Sequence, residues 1–148
     1  MTMTMKTPSA PPRFEQEIAD VLKPLMEAGP AIEKHGLDKM LFHLVKLRAS
    51  QINHCAHCVV MHTREARADG ETDARLDHLV VWNHVNDFTP AEKAAFAWTE
   101  ALTAFDPKTD YAALRAELRQ HFSEEQLAAL TAGIALINFW NRIGVSRH

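Results

Sequence analysis

The stretch that decides the fold is residues 37–70, which read LDKMLFHLVKLRASQINHCAHCVVMHTREARADG. Its first half places apolar residues at helical spacing and predicts an amphipathic helix from Leu37 to Asn53. Its second half predicts a helix that begins at about Cys55 and ends at Gly70, a residue that readily adopts the left-handed conformation of a helix end. Two helices joined by a short turn are therefore expected at the centre of the chain.

The sequence around this stretch predicts further helices and no convincing strand. Thr89 and Ser123 each stand three residues before a Glu or Gln, and such capping boxes open helices. Gly29-Pro30 is expected to end the first helix. The flanking helices are predicted over residues 14–26, 72–83, 89–104, 111–120 and 123–144. The fold class is therefore all-α, a single-domain helical bundle of about six or seven helices.

Composition limits the class of protein. The chain has 148 residues, of which 47% are hydrophobic, and a net charge of −3 with histidine neutral. We expect a disordered tail over residues 1–13 and one folded domain over 14–148. Lys and Arg are scattered, so no nucleic-acid partner is predicted. The sequence contains neither a recognisable secretory signal nor an apolar run of the roughly 20 residues that a membrane span needs, which predicts a cytoplasmic protein.

The two cysteines stand three residues apart, at the start of the predicted helix that follows the turn. Helix geometry separates the Cα atoms of Cys55 and Cys58 by roughly 5 Å, and a disulfide can bridge that distance. The unsatisfied amides of a helix start favour thiolate over thiol. The spacing therefore indicates a redox pair in which one thiolate attacks and the other resolves.

Two histidines accompany the cysteine pair. His62 follows Cys58 by four residues and Cys55 by seven, so the three side chains lie along one stripe of the helix and His62 can act as a base. His57 lies about 100° around the helix from Cys58. It is the weaker candidate, expected to face a neighbouring helix, a subunit or solvent.

Other interpretations of the same residues stay open at this point. The cysteines and His62 could be three ligands of a zinc site with His43, His54 or His57 as the fourth, although structural zinc sites usually draw a second ligand pair from another loop. The cysteines could also simply pack in the core. Covalent haem attachment is excluded because Val59 stands where a histidine is required. We predict no metal and no cofactor.

The motif and its surroundings resemble the alkylhydroperoxidase-D-like (AhpD-like) branch of the carboxymuconolactone decarboxylase superfamily. The resemblance is carried by residues 44–53, by Cys55-Ala56-His57-Cys58 with His62, and by residues 65–67 and 97–103. It implies an all-α homo-oligomer, a trimer or a hexamer, that needs no cofactor. It also implies reduction of small peroxide substrates by a cysteine pair, which a thiol or dithiol reductant of protein or lipoyl type recharges.

The resemblance assigns a role to each candidate residue. Cys58 corresponds to the peroxide-attacking cysteine, and Cys55 to the resolving cysteine that also meets the reductant. His62 corresponds to the histidine of the proton relay, and His57 to a supporting histidine. His43 stands twelve residues before the first cysteine, where peroxidases of the family carry a glutamate. His43 could replace that base, mark a weakened or different activity, or fill space on a helix face.

The resulting hypothesis is a thiol-dependent peroxidase of antioxidant defence. The alternatives are another thiol-disulfide oxidoreductase on the same pair, a carboxymuconolactone-type decarboxylase, and a metal-dependent regulator or binding module. The cysteine pair argues against the decarboxylase, because that branch does not rely on one. Oligomer formation is also expected from the apolar face of the last helix, and Trp82, Trp98 and Trp140 are expected in the core. That apolar face consists of Leu127, Leu130, Ile134, Ile137 and Trp140.

Overall fold

The computed structural model describes residues 8–148, and within that range the chain is all-α, as predicted. No β-strand occurs in this part of the chain. The α-helices in chain order are α1 (Phe14–Glu17), α2 (Ala19–Glu33), α3 (Lys39–Ile52), α4 (Ala56–Ala68), α5 (Asp73–His78), α6 (Pro90–Ala104), α7 (Tyr111–Arg119) and α8 (Glu124–Val145). A 3₁₀ helix, Leu79–His84, continues α5 directly.

Helix α3 lies at the centre of the bundle and packs against α4, α6 and α8. Its start is capped by Asp38, whose side chain accepts a hydrogen bond from the backbone N–H of Leu41 at 2.9 Å. Leu44, Val45 and Leu47 are almost completely buried in the core. Because α3 is buried on several faces, it fixes the direction in which the following turn and α4 leave the core.

Both predicted capping boxes are present. The Thr89 side chain accepts from Glu92 N–H while Glu92 accepts from Thr89 N–H, and Pro90 occupies the first helical position of α6. Ser123 and Gln126 form the same reciprocal pair at the start of α8. Local sequence therefore determines where the two longest core helices of the C-terminal half begin.

The prediction for the first helix was wrong at two points. The chain breaks at Ile18, which separates α1 from α2. Helix α2 then continues through Pro24 and Pro30 to Glu33 instead of ending at Gly29-Pro30. Both prolines are exposed, and α2 packs along α8, where Gly29 lies against Leu136. Tertiary packing thus holds a helix that local propensity would end.

The apolar face of α8 was predicted to exceed what one chain can hide, and this prediction was also wrong. Leu127, Leu130, Ile134 and Ile137 are all buried within the chain itself. Their burial follows from the packing of α8 against α2, α3, α4 and α6. The expectation of a homo-oligomer therefore rests on the family resemblance alone.

The N-terminal tail was predicted to be disordered over residues 1–13. Residues 1–7 lie outside the described residues, and residues 8–13 are exposed and contain turn and coil only. Across the described helices, none is both long enough and apolar enough to cross a membrane.

Candidate active site

The turn between α3 and α4 is held by a polar network on α8. Asn53 donates to the side-chain oxygens of Asn138 and Asn141 at 2.9 and 3.0 Å. Asn141 is fully buried and donates to Ser50 Oγ at 2.9 Å. His54 then takes a left-handed conformation with φ of 56°, which a residue other than glycine seldom adopts. The network and this tight turn place the start of α4 against the C-terminal end of α8.

Cys55 and Cys58 form a disulfide, as expected from their spacing, with Cα atoms 5.2 Å apart. Cys55 is the N-cap of α4, and its Sγ accepts a hydrogen bond from Cys58 N–H at 3.3 Å. Cys55 is 0% exposed and Cys58 is 3% exposed. Cys58 forms part of the wall of a large cavity, whereas Cys55 does not. The two sulfurs therefore differ in accessibility, and Cys58 is the one that the cavity reaches.

Gly144 on α8 packs directly against the disulfide and also lines the cavity. A Cβ atom at this position would overlap Cys55 Sγ and would come within 3.1 Å of Cys58 Sγ. Only glycine therefore allows α8 to approach the disulfide so closely. The sequence predicted Gly144 merely as a helix end, and nothing local in the sequence indicates its contact with the cysteines.

His62 lines the same cavity and is 5% exposed. Its Nδ1 donates to a carboxylate oxygen of Glu65 at 3.0 Å, because a carboxylate only accepts. Its Nε2 is buried and has no hydrogen-bond partner among the described residues. Burial lowers the pKa of His62 from the usual 6.5; the hydrogen bond to Glu65 opposes this, and the positive charge of Lys46 adds to it. The ring is therefore neutral at pH 7, with a free lone pair on Nε2.

His43 is buried on α3 but does not line the cavity. Its Nε2 donates to Asp69 at the end of α4, at 2.6 Å, and Lys39 lies 3.1 Å from the same carboxylate. The hydrogen bonds from His43 and Lys39 lower the pKa of Asp69. His43 Nδ1 is buried and, in the described part of the chain, unpartnered. His43 thus joins α3 to the C-terminal end of α4.

His57 is exposed and lines the cavity on the side of the disulfide. It makes no hydrogen bond with another side chain among residues 8–148. Over the same residues, no group of three His, Cys, Asp or Glu side chains stands close enough together to hold a metal ion. The zinc arrangement considered from the sequence therefore has no ligand set in this conformation, in which the two cysteines are bonded to each other.

The cavity lies between α2, α3, α4 and α8 and has a volume of about 970 Å³. Its wall is mostly apolar and includes Trp140, which is half-buried there, in contrast to the core position predicted for it. Trp98 is buried as predicted, and Trp82 packs against the core. The apolar part of the wall is formed by Leu22, Leu25, Met26, Phe42, Met61, Leu136, Ile137, Trp140 and Ile143.

The C-terminal residues close one side of the cavity. Arg147 pairs with Glu15 at 2.6 Å and stacks on the Phe14 ring at 5.0 Å, so the end of the chain is tied to α1. His148 Nε2 accepts from Ala56 N–H at 3.2 Å, next to the cysteine pair. These contacts bring polar groups close to the cysteine pair, in the wall of a mostly apolar cavity.

Several site residues escaped the sequence analysis. Glu65 stands three residues after His62, and this helical spacing could have indicated the pair. Lys46, Asp69, Gly144 and Trp140 reach the site by tertiary packing alone, so no local signal indicates them.

Comparison with known proteins assigns the family. The sequence model of the carboxymuconolactone decarboxylase family matches residues 16–101, which include α2 to α4, the cysteine pair and His62. The chain belongs to this family. This chain is also 36% identical over 125 residues to the uncharacterized protein YdfG of Bacillus subtilis (strain 168). The match covers 84% of this chain and 85% of YdfG.

The solved structure of a relative above 30% identity places the protein in the AhpD-like branch. It superposes with a TM-score of 0.85 and 34% identity on the Agrobacterium tumefaciens protein ATU0492, a protein of unknown function and candidate antioxidant defence protein AhpD; 93% of this chain and 94% of that chain are covered. The debrominase Bmp8 in complex with 2,3,4-tribromopyrrole has a TM-score of 0.79 at 17% identity, covering 97% and 90%. At that identity the likeness is one of fold alone.

Proposed function

We propose that this protein is a thiol-dependent peroxidase in which Cys58 attacks the peroxide, Cys55 resolves and His62 is the base. The observation that carries the proposal is the position of Cys58, whose sulfur meets an apolar cavity beside a buried, neutral His62 with an unpartnered Nε2. A general base must be neutral and within reach of the proton that it takes. The likeness to ATU0492 and membership in the family support the same chemistry.

The oxidative half of the cycle proceeds in two steps. His62 Nε2 takes the proton of the Cys58 thiol, and the thiolate attacks the terminal oxygen of the hydroperoxide. The O–O bond breaks, the alcohol leaves with a proton, and Cys58 becomes a sulfenic acid. Cys55 thiolate then attacks Cys58 Sγ, water leaves, and the disulfide of the present structure forms.

The reductive half begins at Cys58 as well. Because Cys55 is 0% exposed and lies behind Cys58, a thiolate that enters the cavity reaches Cys58 Sγ. The S–S bond breaks and Cys55 leaves as a thiolate that accepts the Cys58 N–H at the start of α4. The second thiol of the reductant then attacks the reductant sulfur of this mixed disulfide. Cys58 leaves as a thiolate, and the reductant departs as a disulfide. This assignment departs from the resemblance, which gave contact with the reductant to Cys55.

Burial of the disulfide favours the peroxidase over general disulfide exchange. Cys55 is 0% and Cys58 is 3% exposed, so the disulfide is closed to the surface-borne dithiol of a folded protein, whereas a small peroxide or a slender thiol fits the cavity. The position of His43 indicates a structural role, because His43 is held by Asp69 and does not line the cavity.

The test is consumption of hydroperoxides by the reduced protein. One equivalent of tert-butyl hydroperoxide should be consumed per chain, with formation of the Cys55–Cys58 disulfide. Cys58→Ser should abolish consumption, and Cys55→Ser should allow one turnover without the disulfide. Peroxide consumption that survives in Cys58→Ser, or lactone decarboxylation or insulin reduction without peroxide consumption, would overturn the proposal.

The entry point of electrons has its own test on the parent protein. Oxidised protein is treated with a small monothiol, quenched with acid and iodoacetamide, and mapped by fragmentation of the peptide that holds both cysteines. We expect the mixed disulfide on Cys58 and the alkyl group on Cys55. The opposite distribution would return the reductant to Cys55 and leave the peroxidase assignment intact.

A further inference from the structure

The cavity beside Cys58 is much larger than a hydrogen peroxide molecule requires. Its volume of about 970 Å³ lies at the upper end of the range of roughly 300–1,000 Å³ that is typical of sites for organic ligands. A large apolar part of its wall is formed by Leu22, Leu25, Leu136 and Trp140, which belong to α2 and α8. The space therefore fits an apolar organic molecule.

One charged side chain of the wall has no counter-charge. Lys46 on α3 is half-buried, and its Nζ lies 4.7 Å from the centre of the Phe42 ring. No carboxylate of residues 8–148 lies within ion-pair distance of this ammonium group. Lys46 lines the same cavity as Cys58 and His62, and its positive charge acts on His62. An ammonium group that is partly removed from water and unpaired favours an anion in the adjoining space.

The other charged groups of the wall are engaged or exposed. Arg147 is the second cation, and it pairs with Glu15. Glu65 accepts the hydrogen bond of His62, and Glu33 is an exposed carboxylate at the rim. Lys46 is therefore the group of the wall that remains free to bind a negative charge.

We propose that the cavity binds an apolar carboxylic acid, whose carboxylate is held by Lys46 and whose apolar body fills the space between α2 and α8. The proposal rests on the proposed function in one respect, since it makes a hydroperoxide that carries a carboxylate the preferred peroxide. The acid and peroxide groups of such a substrate both lie within this cavity, because Lys46, His62 and Cys58 all line it.

The test measures binding to the oxidised protein, in which no thiolate is present. Decanoate and decan-1-ol have the same apolar chain and differ in charge, so isothermal calorimetry at pH 7.5 isolates the contribution of the carboxylate. We expect decanoate to bind about tenfold more tightly or better, the factor that corresponds to one hydrogen bond to a charged group. Lys46→Met should remove that preference, and Lys46→Arg should keep it.

Two further variants make the result specific. Lys23→Met removes a cation from the exposed side of α2, outside the cavity, and should leave both affinities unchanged. Leu136→Trp fills the apolar part of the cavity and should weaken both ligands. Each variant is checked by circular dichroism before binding is measured.

The proposal fails if the two ligands bind equally, if neither binds, or if the preference for decanoate persists in Lys46→Met. Consumption of tert-butyl hydroperoxide, which has no carboxylate, is measured separately. If that reaction proceeds while decanoate shows no preference, the ligand assignment is wrong and the peroxidase stands. If decanoate binds as expected and no peroxide is consumed, the peroxidase assignment is wrong and the ligand assignment stands.

Discussion

Two histidine–carboxylate pairs lie along helix α4, one within the helix and one between α3 and the C-cap of α4, and only the first includes a histidine of the cavity wall. His62 donates to Glu65 on the cavity side, while His43 donates to Asp69 at the C-terminal end of the helix. Both rings are buried and both leave one nitrogen unpartnered among residues 8–148. The difference shows that a buried histidine oriented by a carboxylate is not enough to identify a base. His62 lines the same cavity as Cys58 and His43 does not, and in the proposed mechanism this position distinguishes the two.

The largest effect should separate the two histidines directly. His62→Gln should lower the rate constant of the reduced protein with cumene hydroperoxide by about 10²-fold or more, as expected for the loss of a general base. His43→Gln should change it far less, because His43 lies outside the cavity wall. Stopped-flow measurement of peroxide loss gives both constants. Equal losses in the two variants would mean that His43 belongs to the relay.

The close packing at the start of α4 gives the next effect. Gly144→Ala places a methyl group against the disulfide and should destabilise the oxidised protein by about 1–3 kcal/mol, the usual cost of overpacking. Gly29→Ala is the matched control on α2, where the new methyl group meets Leu136 at 3.9 Å, an ordinary contact. Urea denaturation of the oxidised proteins compares them. An unchanged midpoint in Gly144→Ala would contradict the contact with Cys55.

Substitutions of Glu65 and Asp69 should affect the reaction with peroxide to different degrees, as substitutions of their partners His62 and His43 do. Glu65→Gln removes the charged acceptor of His62 and should slow the reaction with peroxide about tenfold. A tenfold change corresponds to the lower end of the free energy of a hydrogen bond to a charged group, which is appropriate because Glu65 is half-exposed. Asp69→Asn should leave the rate unchanged and lower the urea midpoint, because Asp69 joins α4 to His43. A slower reaction in Asp69→Asn with unchanged stability would reverse the two roles.

The turn that leads into α4 should show a smaller effect on stability. His54 adopts a left-handed conformation that costs a non-glycine residue about 1 kcal/mol, so His54→Gly should raise the free energy of unfolding by somewhat less than that. Phe105 has φ of 54° at the end of α6, away from the site, and Phe105→Gly is the matched control. If only Phe105→Gly gains stability, the turn at His54 is held by contacts of the imidazole.

The smallest effect concerns pH. Burial lowers the pKa of His62, so the ring stays neutral as the pH falls past 6.5, where an ordinary histidine is half protonated. The rate constant with peroxide should therefore fall by less than about twofold between pH 7.5 and 6.5 and should decline only at lower pH. Stopped-flow rates across pH 5–8 provide the test. A midpoint at or above 6.5 would indicate a different base or a charged His62.

Much of the fold could be predicted from local chemistry. The starts of α6 and α8 follow from Thr89 and Ser123, whose hydroxyl groups cap the helices whatever lies around them. The course of α2 could not be predicted, because its continuation through Pro30 depends on packing against α8. Capping residues in the sequence therefore predict a helix boundary where the cap determines it. They do not predict a boundary that depends on packing against a helix distant in the sequence.

The candidate site likewise contains residues that the sequence could predict and residues that it could not. Cys58 and His62 lie on α4 and Cys55 is its N-cap, so their spacing alone predicted one stripe and a possible disulfide. Lys46 and Gly144 come from α3 and α8, and they line the cavity with Cys58 only because of the packing of the bundle. Spacing within a helix predicts chemistry, whereas the shape and charge of the cavity require the tertiary structure.

The central claim is that Cys58, and not Cys55, is the sulfur that reacts in the cavity. The most direct measurement treats reduced Cys55→Ser and reduced Cys58→Ser with one equivalent of cumene hydroperoxide in the presence of dimedone, followed by peptide mass analysis. The structure predicts rapid labelling of Cys58 in Cys55→Ser and none of Cys55 in Cys58→Ser, because only Cys58 lines the cavity. Labelling of Cys55 at an equal or greater rate would contradict this account of the site.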